Sequence, residues 1–167
     1  MKKVVLMAFA ACLILCAACK NGGSKEVDKP VVIPESFATY DGEKFSIQYP
    51  GEMVVTWSSG FLNTQLDDGK AKMDASFSSY APTESQLKQY AQNLSMMLKN
   101  SGETCDDAVI KGKKMTLRSV TDDMIKQSFC VLSGDGTAVA GSLSYAKELA
   151  DTWDGYLAPV MASIKFK

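Results

Sequence analysis

Several stretches of this sequence carry residue types that do chemistry in other proteins. In Ser85-Gln86-Leu87-Lys88 a lysine follows a serine by three positions, one helical turn away, the arrangement in which an amine activates a hydroxyl as a nucleophile. The Lys-Thr-Gly and Ser-x-Asn companions of that element are missing, and the same residues make an ordinary solvated first helical turn. The acidic pairs Asp67-Asp68, Asp106-Asp107 and Asp122-Asp123 offer oxygens to a hard cation such as calcium. Adjacent aspartates point in different directions, however, and none of the pairs has the alternating ligand spacing of a calcium loop, so they read as turn residues and no metal is expected. Trp57, Phe61 and Trp153 are candidates to line an apolar pocket, against the ordinary fate of aromatic residues in a small domain, which is the core. Histidine is absent from the chain, which removes the commonest general base and the commonest metal ligand together. With no Gly-x-Ser-x-Gly elbow and no phosphate loop either, no catalytic residue and no cofactor are expected.

The cysteines divide by position. Cys12, Cys16 and Cys19 fall in or at the end of an N-terminal leader, and Cys105 and Cys130 fall in the domain beyond it. Two cysteines in an exported domain suggest a disulfide between Cys105 and Cys130, the alternative being two buried thiols.

The leader itself begins Met1-Lys2-Lys3, runs without charge from Val4 to Ala18, and ends at Cys19-Lys20-Asn21-Gly22-Gly23. A basic start, a short apolar run and small residues before a cysteine describe a signal peptide over residues 1–18, the run being shorter than the roughly 20 residues of a membrane-spanning helix. Leu15-Cys16-Ala17-Ala18-Cys19 resembles the lipobox of bacterial lipoproteins, with Cys16 where an aliphatic residue is usual. That resemblance implies cleavage before Cys19 and diacylation of its thiol. Cys16 is a poorer candidate because Leu15 precedes it, and Cys12 leaves too short an apolar run. Residues 19–36 then form the lipidated cysteine and a polar, glycine-containing tether without apolar periodicity. Lys20 in place of aspartate leans towards the outer membrane, facing the periplasm, under the lipoprotein sorting rules.

Residues 37–167 are expected to fold as a single domain of the α+β class, 46% of the whole chain being hydrophobic. Strands are expected at Phe37 to Tyr40, Glu43 to Tyr49, Met53 to Ser58 and Lys72 to Tyr80, with Asp41-Gly42 as a hairpin turn and Leu62 to Lys70 as polar loop. A helix starts at Thr83, with Gln86 completing a capping box. Its stripe is Leu87, Tyr90, Ala91, Leu94, Met97 and Leu98, and Asn100-Ser101-Gly102 stops it. An antiparallel meander occupies Ala108 to Ile110, Met115 to Val120, Met124 to Leu132 and Thr137 to Tyr145. The small face of its last strand, Ala138, Ala140, Ser142 and Ser144, invites a close-packed helix. A final helical stripe from Leu149 to Ile164 is interrupted at Pro159, where a kink or restart is expected.

This order of strands, helix, strands, helix, together with Phe45-Ser-Ile-Gln-Tyr-Pro50 near its start and Ser163-Ile-Lys-Phe-Lys167 at its end, resembles the PsbP-like family. The resemblance implies an antiparallel sheet packed with helices as an α/β/α sandwich, and a binding or assembly role in place of catalysis. No binding residue of that family can be placed on this chain.

Basic residues number 18 and acidic ones 19, and losing the leader removes Lys2 and Lys3. A mature chain with scattered, outnumbered basic residues is not built for nucleic acid. The expected role is a non-enzymatic, lipid-anchored interaction or assembly module of the bacterial cell envelope, held to the membrane by its lipid and bound to an envelope protein. A periplasmic carrier or sensor of a small apolar ligand is the alternative.

Overall fold

The computed structural model describes residues 30–167. The expected signal peptide, Cys19 and the expected tether as far as Lys29 lie outside the described residues. From Phe37 the chain forms β1 (Phe37–Asp41), β2 (Phe45–Pro50), β3 (Val54–Trp57), β4 (Phe61–Gln65) and β5 (Ala71–Ser78), then α1 (Leu87–Asn100). It continues through β6 (Thr104–Cys105), β7 (Val109–Lys111), β8 (Lys114–Val120), β9 (Met124–Leu132) and β10 (Ala138–Ala146). A single turn of 3-10 helix leads into α2 (Ala150–Trp153) and α3 (Leu157–Ala162), and β11 (Lys165–Phe166) ends the fold.

All strand pairs are antiparallel. The main sheet runs β3-β4-β5-β10-β9-β8-β6, with β7 also paired to β8, and a smaller sheet runs β1-β2-β11. Period-2 alternation decides which layer each strand residue joins. On β9, Ile125, Phe129 and Val131 join one core with Val139, Leu143 and Tyr145 of β10, Trp153 of α2 and Leu157, Val160 and Met161 of α3. The small sheet contributes Phe45, Ile47 and Tyr49 to that core. On the opposite face Met115, Cys130, Leu132 and Ala138 pack against Leu87 and Ala91 of α1. Helices therefore cover both faces of the main sheet, and the α+β class with its α/β/α layering is the observed architecture.

The meander strands and α1 lie where the sequence pattern puts them, and the departures have identifiable causes. Leu62 to Lys70 is not loop throughout: Phe61–Gln65 is β4, paired with β3 and β5. Its inward positions are Leu62 and Thr64, and the buried threonine hydroxyl donates to Met53 Sδ at 3.4 Å, so half of its alternation is invisible to an apolar pattern. The helical break falls at Asp154 to Tyr156, and Pro159 sits in the first turn of α3, where an N–H has no intrahelical partner to lose. Half of the capping box forms: Gln86 Oε1 accepts from Thr83 N–H at 3.0 Å. The Thr83 hydroxyl also donates to that oxygen, however, and a tight turn precedes a helix that begins at Leu87. The small face of β10 is shared: Ala138 and Ala140 meet the α1 layer, whereas the Ser142 hydroxyl donates to Asp74 on β5.

Candidate functional site

The two edges of the main sheet are finished differently. At one edge β6 and β7 are strands of 2 and 3 residues, and α1 packs against β6. At the other edge β3 is open: Val54, Val55 and Trp57 are 50%, 40% and 55% exposed, and Phe61 of β4 is 38% exposed beside them. An edge strand presents unpaired backbone donors and acceptors, and proteins normally blunt it with charge, proline or a cover. Val54-Val55-Thr56-Trp57 contains no charge and no proline, and its one irregularity is a register shift between Val55 and Trp57.

Local structure fixes the aromatic pair. Gly60, at φ 78°, takes the left-handed conformation that the β3–β4 hairpin tip requires. The Trp57 indole N–H donates to Ser59 O at 3.4 Å, and the Trp57 and Phe61 rings stack with centroids 6.2 Å apart and planes 22° from parallel. Tyr40 donates its hydroxyl to Ser58 O at 3.2 Å, pinning the tip against β1. The rings are therefore held in place at the surface. Trp153 takes no part in this site: it is buried in the main core against Tyr145 and Tyr156.

A polar cluster that sequence reasoning missed lies between the main sheet and the α2–α3 turn. Gln127 Nε2 donates to Tyr145 Oη at 2.6 Å and to Asp154 Oδ1 at 3.2 Å, and the Tyr145 hydroxyl donates to the same carboxylate. Arg118 Nε stands 3.9 Å from Asp154 Oδ1. Burial, then the Asp154 hydrogen bond, pushes the Tyr145 phenol well above its ordinary range, so it stays a donor at neutral pH. Gln127 amid the apolar residues of β9 is the one sequence signal of this cluster, and it went unread. Next to the cluster a cleft of about 500 Å³ is lined by Val31, Val109, Leu157, Ala158 and Met161, with Lys111 and Lys114 also on its walls. A second cleft, of about 740 Å³, lies between α1 and the segment from Asp106 to Ile110.

The remaining predicted residues are dispersed. Ser85 Oγ is 2.9 Å from Thr83 Oγ1, both in the turn before α1, and Ser85 and Lys88 are exposed on the face of the sheet opposite the Tyr145–Asp154 cluster. The acidic pairs lie apart, Asp67-Asp68 and Asp122-Asp123 in turns and Asp106-Asp107 between β6 and β7; Asp68 Oδ1 accepts from Lys70 N–H at 3.0 Å and Asp106 lies 3.8 Å from Arg118. Among the described residues no three acidic or cysteine side chains converge as a metal site.

The disulfide expected between Cys105 and Cys130 is not formed, and both are free thiols. Cys105 pairs with Ser119 of β8, while Cys130 pairs with Met115 of the same strand. An offset of four residues at about 3.3 Å each, plus two strand spacings, is far beyond the roughly 4.4–6.8 Å between Cα atoms that a disulfide spans. Cys130 instead fills the core beneath α1, where burial pushes its thiol up to about 11. Cys105 is raised too, by burial and then by Glu103.

Neither a family model nor a curated protein sequence matches this chain. Solved structures do. The solution structure of cyanobacterial PsbP (CyanoP) from Synechocystis is 15% identical and aligns with a TM-score of 0.53, covering 83% of this chain and 97% of that one. The Ran-binding protein Mog1p of Saccharomyces cerevisiae is 10% identical, with a TM-score of 0.54 over 78% of this chain and 95% of that one. A point mutant of Mog1 aligns at 0.55 with the same identity and coverage. At these identities the likeness establishes the fold, which is PsbP-like, and leaves function to the site.

Proposed function

We propose that this protein is a lipid-anchored interaction module of the bacterial cell envelope, tethered through Cys19 and offering the open β3 edge to an envelope protein. The observation that carries this reading is the apolar, unblunted edge with its stacked Trp57–Phe61 pair. Strand addition to such an edge takes its affinity from main-chain hydrogen bonds and its selectivity from the side chains alongside. CyanoP and Mog1p share the fold, and Mog1p is by name a binding protein, which is consistent with a scaffold that serves recognition.

Two substitutions test the two halves of the proposal. Cys19→Ser removes the acceptor of the lipid and is expected to release the protein from membranes washed in about 1 M salt or to stall the precursor; a processed variant that stays membrane-bound through that wash would contradict the anchor. Val55→Lys with Trp57→Lys places charge on the open edge at exposed positions. It is expected to abolish recovery of the envelope partner with the melting temperature unchanged, and undiminished recovery would contradict the edge as the binding surface.

The cleft of about 500 Å³ favours a second reading, a carrier of a small apolar ligand. Native mass spectrometry of the purified protein distinguishes it by a bound lipid or metabolite.

A further inference from the structure

We propose that the β7–β8 hairpin is a lipid-docking face: Lys111, Lys113 and Lys114, with Val31, Val32 and Val109 beside them, seat the domain on an anionic bilayer surface and fix its orientation there. This rests on the reading of Cys19 as the lipid-bearing residue.

The hairpin pairs Lys111 with Lys114 through a turn in which Gly112 has φ 54°, so three lysines crowd four positions and all are exposed. Among the described residues Lys70, Lys167 and Arg118 have carboxylate partners, whereas these three lysines make no ion pair. In the neighbouring β9–β10 turn the carboxylate of Asp135 is held by the Thr137 N–H at 3.2 Å and its hydroxyl at 2.8 Å. Val31, Val32 and Val109 are 48%, 81% and 53% exposed, and Val31 and Val109 share a cleft with Lys111 and Lys114. Apolar side chains that reach the acyl boundary, ringed by ammonium groups at headgroup level, are the composition of an interfacial binding face.

The position of the chain supplies the occupant. The described chain begins at Pro30, next to Val31 on this cleft, and Cys19 precedes Pro30 by eleven residue steps, which reach at most about 40 Å. The lipid therefore keeps this edge of the sheet within about 40 Å of the bilayer, in reach of it, and the lysines and valines supply the attraction that seats it. The open β3 edge lies six strand spacings away from β7, roughly 29 Å at about 4.8 Å each, so the two surfaces do not overlap.

Lysine acylation footprinting, read by mass spectrometry on the full chain as purified from membranes, tests the proposal. The protein is reconstituted in vesicles containing phosphatidylglycerol and in vesicles of phosphatidylcholine alone. Lys111, Lys113 and Lys114 are expected to react at least about fivefold more slowly on the anionic vesicles, the effect of attracting one lysine to an anionic surface. Salt at about 1 M should reverse the protection, because it shortens the screening length to about 3 Å, and Lys147 and Lys165 should not change. Equal reactivity on both vesicles, with the protein still bound, overturns docking and leaves the anchor standing. Protection seen in native envelope membranes and not in protein-free vesicles overturns it in favour of a protein partner. The full-length Cys19→Ser chain separates the two readings: it should retain affinity for anionic vesicles, and adding Lys111→Gln, Lys113→Gln and Lys114→Gln should lower that affinity on the order of 100-fold. If the Cys19→Ser chain binds anionic and phosphatidylcholine vesicles equally, the docking face is refuted.

Discussion

Replacing Tyr145 with phenylalanine removes one oxygen from a position where the structure gives that oxygen two jobs. The side chain is fully buried on β10, its hydroxyl accepts from Gln127 at 2.6 Å, and it donates to Asp154 in the turn between α2 and α3. The phenylalanine ring would keep the contact with Trp153, whose centroid lies 6.1 Å from that of Tyr145, so almost no cavity opens. What is lost is a hydrogen bond to a charged acceptor, which contributes about 1.5–3 kcal/mol. Gln127 and Arg118 still serve Asp154 after the change, and the Asp154 side chain is 48% exposed, so water can take over the vacated lone pair. These offsets place the expected loss near the low end, about 1.5–2 kcal/mol. Urea unfolding followed by tryptophan fluorescence measures it, with the midpoint falling and the slope unchanged. A double-mutant cycle with Asp154→Ala should return a coupling of about 1 kcal/mol. A loss under about 0.5 kcal/mol, or strict additivity, would refute the assignment of this cluster as the clamp between the sheet and the C-terminal helices.

Gly141→Ala is expected to destabilise by about 3 kcal/mol or more in the same assay, because a Cβ there would lie 2.0 Å from the Asp74 carbonyl oxygen and force β5 from β10. Alkylation of denatured, unreduced protein followed by peptide mapping should find both Cys105 and Cys130 modified; a linked peptide pair would contradict the strand offset. The thermal midpoint should fall as pH rises above about 9. An ordinary thiol ionises there in the unfolded chain, while buried Cys130 holds its proton up to about 11, so the contribution is complete below the unfolded value and lost through the folded one. Cys130→Ala should flatten that step, and an unchanged slope would show that the thiol is not buried as described.

The fold was legible where period and length were both strong. Met124 to Leu132 needed no correction, because a largely apolar run of 9 residues bounded by turn signals suits a strand buried on both faces, with Ile125, Phe129 and Val131 in one core and Cys130 and Leu132 in the other. β4 escaped because a buried threonine occupies one of its two inward positions, and β6 and β11, at 2 residues each, are too short to show any period. The break before α3 escaped because Pro159 drew attention from Asp154-Gly155, yet a proline in a first turn breaks nothing. The disulfide was inferred from number and compartment, and neither quantity carries the strand offset that decides it. Trp57 and Phe61 were legible as aromatics but not as surface residues: exposure depends on β3 being last in the sheet order, which no local pattern encodes.

Contact between the β3 edge and an envelope protein is the claim on which the proposed function depends, and a benzophenone amino acid placed at Val55 in the living cell tests that contact directly. Irradiation of intact envelopes should yield a discrete adduct with one protein, lost when Trp57 and Phe61 are both changed to Lys and absent from a benzophenone control at Lys147. Adducts at Val55 no stronger than at Lys147, or adducts indifferent to the loss of the aromatic pair, would contradict it.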